Sequence, residues 1–191
     1  MKSQNKQLVF SAAVLILVAA ISRLVPHPPN FAPIASLAVF GGSVIGNKKY
    51  AFILPLGALI LSDILFEMFT TTPGFYGMGQ LFVYGAFLII TLLATTIKKV
   101  NTKNIVWACI WSGAIFFIVS NLGVWATSSF YPKNVTGLMG CYAAAIPFYK
   151  NEFFGNVVLN SFMGNFFYSA LLFGAYAAIK KMAFTSNTSL A

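Results

Sequence analysis

The sequence contains little charge. Asp, Glu, Lys and Arg make up 8% of its 191 residues, whereas an ordinary soluble domain carries about 25%. A soluble protein of this size needs charged side chains to cover its surface. The shortage therefore excludes a soluble enzyme. It also excludes a nucleic-acid-binding domain, because the twelve basic residues are scattered in small groups and form no basic face.

Other absences remove further classes of protein. Cys109 and Cys141 are too few for a disulfide framework, and the single histidine excludes a His-based zinc cluster. The segment 41–48 resembles a phosphate-binding loop but has Asn47 where that motif needs Lys. No paired nucleophile and base is visible, so we expect neither an enzyme nor a cofactor. Disorder requires few aromatic residues, and an aromatic content of 16% excludes it.

Apolar residues are abundant and make up 59% of the chain. Six apolar segments lie at about 8–25, 31–46, 50–67, 78–97, 105–130 and 157–179. A helix needs about 20 residues to cross the hydrocarbon core of a bilayer. We therefore predict an all-α integral membrane protein with six transmembrane helices, in one domain over residues 1–181 with a flexible tail at 182–191. The second helix, which follows a Pro-rich stretch, is expected to be short or tilted.

The basic residues predict how these helices are oriented. Nine of them precede the first segment or follow the second, fourth and sixth; they are Lys2, Lys6, Lys48, Lys49, Lys98, Lys99, Lys103, Lys180 and Lys181. Arg23, Lys133 and Lys150 fall on the opposite side. Because positive charge concentrates in cytoplasmic loops, both termini are predicted to be cytoplasmic. The first segment also resembles a signal peptide. We expect it to remain as a helix, because its removal would leave an odd number of spans.

The longer connections lie on the predicted outer side, at 24–30, 68–77 and 131–156. The third has about 26 residues, a length that is usually functional. Polar and aromatic residues that could bind a ligand are therefore concentrated on the outer side. A binding site there would face the external medium.

Three charged residues are predicted at a similar depth near the outer ends of their helices. At about 1.5 Å rise per residue, Arg23 lies roughly 24 Å above the inner end of its helix, Asp63 roughly 20 Å and Glu67 roughly 26 Å. Charges inside a membrane are costly and are usually paired or functional. We expect an ion pair from Arg23 to one or both carboxylates. It could lock the first helix to the third, or it could contact a ligand or a coupling ion.

Five further residues are candidates for binding a ligand or a metal. His27 and Asn30 belong to a loop that its prolines hold extended; this loop could recognise a ligand, or His27 could only tie it down. Asn121 and Trp125 lie one turn apart in the fifth helix and offer a hydrogen-bonding edge beside an aromatic face. The alternative is that the Asn121 amide forms hydrogen bonds to a neighbouring helix. Cys141, in the third outer loop, could be a cobalt ligand or a small buried apolar residue.

Two sets of small residues recur at a spacing of four. Gly42 and Gly46 form one set, and Ala170, Gly174 and Ala178 form the other. This spacing puts each set on one helix face, where helices can approach closely. Such a face either packs inside the protein or docks a partner helix.

Several strings of residues carry a resemblance to a known family. They are Arg23–Ile34, Phe40–Gly42, Leu61–Asp63, Phe116–Phe117, Ser120–Trp125, Tyr131–Pro132, Gly137–Tyr142 and Ile146–Phe148. Over nearly its whole length the chain resembles a family of short, uncharacterised bacterial membrane proteins. That family is similar to the substrate-binding S components of energy-coupling factor (ECF) vitamin transporters.

The resemblance implies a multi-pass protein of the bacterial inner (cytoplasmic) membrane that captures a vitamin or similar nutrient from outside. S components bind their ligand in an outward-facing pocket built from outer loops and the later helices. They dock on a transmembrane subunit driven by two ATPases. The candidate substrate-binding residues are then His27, Asn30, Asn121, Trp125 and Tyr142.

Two alternatives remain open. One is a structural or assembly membrane protein without a small-molecule ligand, and the other is a solitary cobalamin transporter that uses Cys141. One departure from S components concerns docking, because the alanines of the first helix do not form the usual Ala-x-x-x-Ala pattern; they are Ala12, Ala13, Ala19 and Ala20. The expected partners are the lipid bilayer, a small nutrient and an ECF transmembrane subunit, with no nucleic acid. The sequence predicts neither the identity of the nutrient nor the energy source.

Overall fold

The computed structural model describes residues 2–146 and 157–188 of the chain, and these residues are all-α. The helices are α1 (Lys2–Ile21), α2 (Ile34–Val44), α3 (Lys48–Phe69), α4 (Gly79–Ala94), α5 (Thr102–Thr127), α6 (Val135–Ala145) and α7 (Val157–Thr188). A 3₁₀ turn at Ser22–Leu24 extends α1. No strand occurs within the two described ranges.

Four of the helices are long and apolar enough to cross a membrane. They are the segments Lys6–Leu24, Lys48–Phe69, Thr102–Thr127 and Leu159–Ala183. Large apolar side chains project outward from the long helices; Phe10, for example, is 71% exposed and Trp107 is 57% exposed. Exposed apolar side chains on such helices are typical of a surface that faces lipid rather than water.

The second and fourth predicted spans correspond to shorter helices. Helix α2 has 11 residues and α4 has 16. At about 1.5 Å per residue, 11 residues extend about 16 Å, roughly half of a hydrocarbon core. Helix α2 is thus short, as its Pro-rich approach indicated.

Helix α2 lies at the centre of the fold and contacts α1, α3, α4, α5 and α7. All residues from Ala35 to Gly42 are buried. Glycine permits this close packing, because a Cβ on Gly41 would overlap the ring of Pro55 in α3. Of the predicted small-residue set, Gly42 also packs inside the protein, because a Cβ there would overlap the Thr91 carbonyl oxygen in α4, whereas a Cβ on Gly46 would meet no atom within 4 Å.

Asparagine side chains define where three helices begin. Asn47 accepts hydrogen bonds from the backbone of α3, Asn101 from α5 and Asn134 from α6. Each carboxamide oxygen satisfies an N–H group that has no partner inside its helix. Two of these caps lie at the predicted inner side, where the connections to α3 and α5 are short.

The structure differs from the sequence predictions at the third outer loop and at the C-terminus. Helix α6 lies within the segment that was predicted to be a loop, and α7 continues to Thr188, so residues 182–188 of the predicted tail are helical. Lys150 and Glu152 lie outside the described residues. The small face at Ala170, Gly174 and Ala178 is exposed on α7, and a Cβ on Gly174 would meet no atom within 4 Å.

Candidate functional site

A cavity of about 840 Å³ opens at one end of the helices. The α1–α2 loop (residues 25–33), the α3–α4 loop (residues 70–78) and parts of α3, α4, α5, α6 and α7 form its walls. Pockets for small organic ligands have volumes of about 300–1,000 Å³. The cavity therefore has the volume of a ligand site, at the end of the helices that the basic residues predict to be outward.

The cavity is lined mainly by aromatic and small polar side chains. The aromatic ones are Phe66, Tyr76, Phe116, Phe117, Phe130 and Phe162. The uncharged polar ones are Asn30, Thr72, Ser120, Asn121, Thr127, Ser128 and Ser161. Arg23 and Asp63 are the acidic or basic residues of the described lining. The lining also includes His27. An apolar wall with a few polar groups is typical of small-molecule sites.

The charged residues of this wall form an ion pair. Nη1 of Arg23 lies 2.6 Å from Oδ1 of Asp63, and it also donates to the hydroxyl of Ser62. The guanidinium carbon lies 5.3 Å from the centre of the Phe66 ring, which adds a cation–π contact. Since Arg23 follows α1 and Asp63 belongs to α3, the pair joins these two helices, as expected for a lock. It also lines the cavity, as expected for a ligand contact.

Two residues of α4 hold the other oxygen of Asp63. Oδ2 accepts hydrogen bonds from the Tyr84 hydroxyl at 2.7 Å and from Nε2 of Gln80 at 3.1 Å. The Gln80 amide also lies 2.8 Å from the Tyr84 oxygen. Asp63 is 4% exposed, so these bonds compensate for the water that the carboxylate loses on burial.

Glu67 does not share the ion pair with Arg23. Its Oε2 accepts hydrogen bonds from the backbone N–H groups of Gly74 at 3.0 Å and Phe75 at 3.3 Å. The backbone oxygen of Gly74 in turn accepts from Gln80 at 3.0 Å. Gly74 lies directly over α3, because a Cβ there would overlap the carbonyl oxygen of Asp63. Glu67 thus fixes the α3–α4 loop that forms one wall of the cavity.

His27 ties down the α1–α2 loop and also lines the cavity. Its ring nitrogens lie 2.9 Å from the Pro28 carbonyl oxygen and 3.1 Å from that of Arg23. Asn30 follows with a positive φ of 61°, a conformation that asparagine tolerates better than most residues. Phe31 then packs against the rings of Phe167 and Tyr168 on α7. These contacts position Arg23 and Asn30 at the cavity.

Asn121 reaches the cavity from α5. Its Nδ2 donates to the Phe117 carbonyl at 2.8 Å. Because a carbonyl can only accept, this bond assigns Nδ2 as the donor and leaves Oδ1 of this lining residue as an acceptor. Among the described residues, no protein group donates to that oxygen.

Trp125 and Tyr142 do not belong to the described cavity lining. The Trp125 indole donates to the Pro132 carbonyl at 2.9 Å, and the Tyr142 hydroxyl donates to the Ile118 carbonyl at 2.7 Å. Burial raises the pKa of Tyr142, which keeps this donor protonated. Their polar atoms therefore fasten α6 and the α5–α6 connection to α5, and of the predicted pair only Asn121 belongs to the described cavity lining.

Cys141 faces α5 and is also absent from the described cavity lining. It is buried, with its thiol 3.5 Å from the backbone oxygen of Asn121. Burial raises the pKa of the Cys141 thiol, which disfavours the thiolate that a metal requires. Within the described residues, no group of three His, Cys, Asp or Glu side chains could hold a metal ion. The thiol is therefore packed against α5, as a small buried residue would be, and the cobalt-ligand alternative stays a prediction.

Sequence reasoning missed the residues that complete the Asp63 cluster. Gln80, Tyr84 and Ser62 were not predicted as site residues, although Gln80 and Tyr84 are polar, are spaced i, i+4 and start α4 at the outer end. That spacing places them on one helix face, at the depth predicted for Asp63. The sequence therefore placed Gln80 and Tyr84 on one face of α4. Only the packing of α4 against α3 shows that this face meets Asp63.

These features define an all-α protein with four helices long and apolar enough to cross a membrane and a ligand-sized cavity at one end. The chain belongs to a family of unknown function, DUF6580, which matches residues 2–187. No curated protein and no solved structure matches the chain.

Proposed function

We propose that this protein is a transport subunit of the bacterial cytoplasmic membrane that captures a vitamin or similar small nutrient from the outer side. In this proposal the chain crosses the membrane six times, with α2 and α4 as short spans, and both termini are cytoplasmic. It acts like the substrate-binding S components of ECF transporters. The observation that carries the proposal is the cavity of about 840 Å³, whose lining includes Arg23, His27, Asn30 and Asn121.

The distribution of charge supports the direction of capture. The lysines at the start of α3 and α5, among them Lys48 and Lys103, lie at the opposite ends of their helices from the cavity. If these lysines are cytoplasmic, the cavity opens to the outside. A nutrient could then enter without crossing the lipid.

The docking partner remains a prediction. Ala12, Ala19 and Ala20 of α1 are buried in the core, so the small residues of this helix are not available for an S-component-like contact. The exposed small residues lie on α7 instead. An ECF transmembrane subunit with two ATPases is therefore expected from the resemblance alone.

A second candidate function is a membrane assembly protein without a small-molecule ligand. The observation that favours it is that Trp125, Tyr142 and His27 all bond to backbone carbonyls of the protein itself. Under this hypothesis the cavity contains only lipid or water.

The test is to purify the protein and identify co-purifying small molecules by mass spectrometry. Ala144 lines the cavity and its neighbour Ala143 does not, so Ala144→Trp should fill the cavity and Ala143→Trp serves as the matched control. We expect a molecule that co-purifies with the wild type and the control but is lost from Ala144→Trp. Absence of any such molecule, with no uptake defect in an auxotroph that lacks the gene, would favour the assembly protein.

A further inference from the structure

The hydrogen-bonding capacity of Arg23 is only partly used by the protein. All three of its described side-chain hydrogen bonds come from Nη1, to Asp63, Ser62 and the Leu59 carbonyl. A guanidinium has five N–H donors in a rigid plane. Nε and Nη2 therefore have three N–H groups without a partner among the described residues, and the side chain remains 13% exposed at the cavity wall.

The hydrogen-bonding capacity of the partner carboxylate, Asp63, is almost fully used. Oδ1 of Asp63 accepts from Arg23, and Oδ2 accepts from Gln80 and Tyr84. The Asp63 side chain is only 5% exposed. It has little remaining capacity to bind a cation or a donor in the cavity. At this wall the protein thus offers donors on Arg23 and few acceptors.

The net charge of the wall restricts what those donors can bind. Arg23 carries a positive charge that Asp63 neutralises at 2.6 Å, and no other Lys, Arg, Asp or Glu is among the described lining. An anionic ligand would leave one negative charge uncompensated in a desolvated site, which is strongly unfavourable. A neutral acceptor, such as a carbonyl oxygen, avoids that cost and still uses the N–H groups.

The rest of the wall favours a flat apolar body. Phe66 lies against the Arg23 guanidinium at 5.3 Å, and Phe116, Phe117 and Phe162 add further rings. Aromatic side chains bind planar rings by offset stacking or edge contacts. Asn121 offers Oδ1 as an acceptor from the facing helix α5, so a ligand that carries both an acceptor and a donor has a partner for each.

We propose that the ligand is a neutral molecule with a planar aromatic ring and a carbonyl or ring-nitrogen acceptor, which binds the Nε/Nη2 edge of Arg23. Asp63 occupies Nη1 and so holds the free edge toward the cavity. Arg23 is then both part of the lock between α1 and α3 and the residue that selects a neutral ligand over an acid. This inference rests on the proposed function, because it names the ligand class of the same cavity.

The test compares three probes with the same two-ring carbon skeleton on the purified protein. They are 2-naphthamide, which is neutral and aromatic, 2-naphthoate, which is anionic, and decahydro-2-naphthamide, which lacks the aromatic rings. Binding is measured by saturation-transfer NMR titration, and binding that persists in Ala144→Trp is subtracted as partition into detergent. We expect 2-naphthamide to bind about tenfold or more tightly than 2-naphthoate, whose negative charge would stay uncompensated. It should bind about two- to tenfold more tightly than decahydro-2-naphthamide, which keeps the carbonyl but loses the aromatic contacts.

The variant that isolates the free edge is Arg23→Lys. Lysine keeps a positive charge for Asp63 but has no second edge, so this variant should fold and lose about tenfold in affinity for 2-naphthamide. Equal or tighter binding of 2-naphthoate, unchanged binding in Arg23→Lys, or no binding above that of Ala144→Trp would each overturn the inference. If the molecule that co-purifies with the wild type is an acid that Ala144→Trp loses, the ligand class is wrong while the proposed capture function stands.

Discussion

The two walls of the cavity satisfy their polar groups in different ways. On the wall made by α1, α3 and α4, side chains bond to one another around a buried carboxylate, from Arg23 to Asp63 to Gln80 and Tyr84. On the wall made by α5 and α6, side chains bond singly to backbone carbonyls, as Asn121 does to the Phe117 carbonyl. Removing one member of a connected, charged cluster leaves others unpaired, whereas removing a single neutral bond does not. The first wall should therefore be much more sensitive to substitution than the second.

The largest effect is expected when the ion pair is broken from one side. Arg23→Met leaves Asp63 buried without its positive partner, and this should lower the free energy of unfolding by about 3–5 kcal/mol. Unfolding in mixed micelles with increasing SDS measures the change. The exposed Lys103→Met is the control and should change stability by less than about 0.5 kcal/mol. A loss for Arg23→Met as small as that of the control would contradict the lock.

The α3–α4 loop should be the next most sensitive region. A Cβ on Gly74 would overlap the backbone of Asp63, so Gly74→Ala should cost about 3 kcal/mol or more, at the upper end of overpacking effects, and should expose the loop to protease. Gly57 in α3 provides the matched control, because a Cβ there meets no atom within 4 Å. Gly57→Ala should be neutral or slightly stabilising. Similar effects of the two changes would show that the loop does not lie over Asp63.

A single hydrogen bond to the carboxylate should have an intermediate effect. Tyr84→Phe removes the donor at 2.7 Å from Oδ2, and we expect a loss of about 1.5–3 kcal/mol, as for bonds to charged groups. On α6, outside the cavity lining, Tyr142→Phe removes a bond to the neutral Ile118 carbonyl and should cost about 0.5–1.5 kcal/mol. Comparing these two Tyr→Phe changes by the same SDS titration tests whether a bond to the buried carboxylate contributes more than a single bond to a backbone carbonyl. Equal losses would show that the two kinds of bond do not differ in stability.

The smallest effect concerns the chemistry of Cys141. Because the protonated thiol is the unreactive form, a raised pKa reduces the thiolate fraction near pH 7.5 and slows alkylation. In a Cys109→Ala background, Cys141 should react with N-ethylmaleimide much more slowly in the folded protein than after denaturation in SDS. The rate should rise as the pH increases toward the raised pKa. Rapid reaction of the folded protein at neutral pH would show that the thiol is open to the solvent.

The sequence predicted the long helices and the depth of the charges better than it predicted the site. The rise per residue placed Arg23 and Asp63 at similar heights, and the structure pairs them. The same arithmetic could not separate Asp63 from Glu67, because the choice of partner depends on side-chain direction. Glu67 instead binds the backbone of a loop whose path depends on Gly74.

For a similar reason, the sequence predicted only part of the cavity lining. His27, Asn30 and Asn121 line the cavity, but Trp125 does not, although it lies one turn from Asn121. The polar atoms of Trp125 and Tyr142 find carbonyl partners nearby, and periodicity alone does not reveal this. Helix α6 was missed because its 11 residues lie within a longer segment that carries no apolar run of transmembrane length.

The central claim is that Arg23 serves both as a lock and as the ligand contact, through different edges of its guanidinium. The double variant Arg23→Met/Asp63→Leu tests it most directly, since removing both charges together should recover at least half of the stability lost in Arg23→Met. The measurement is mass spectrometry of small molecules that co-purify with this folded variant. The account predicts that the molecule bound by the wild type is absent. Its retention at wild-type occupancy would contradict the claim and leave Arg23 with a structural role only.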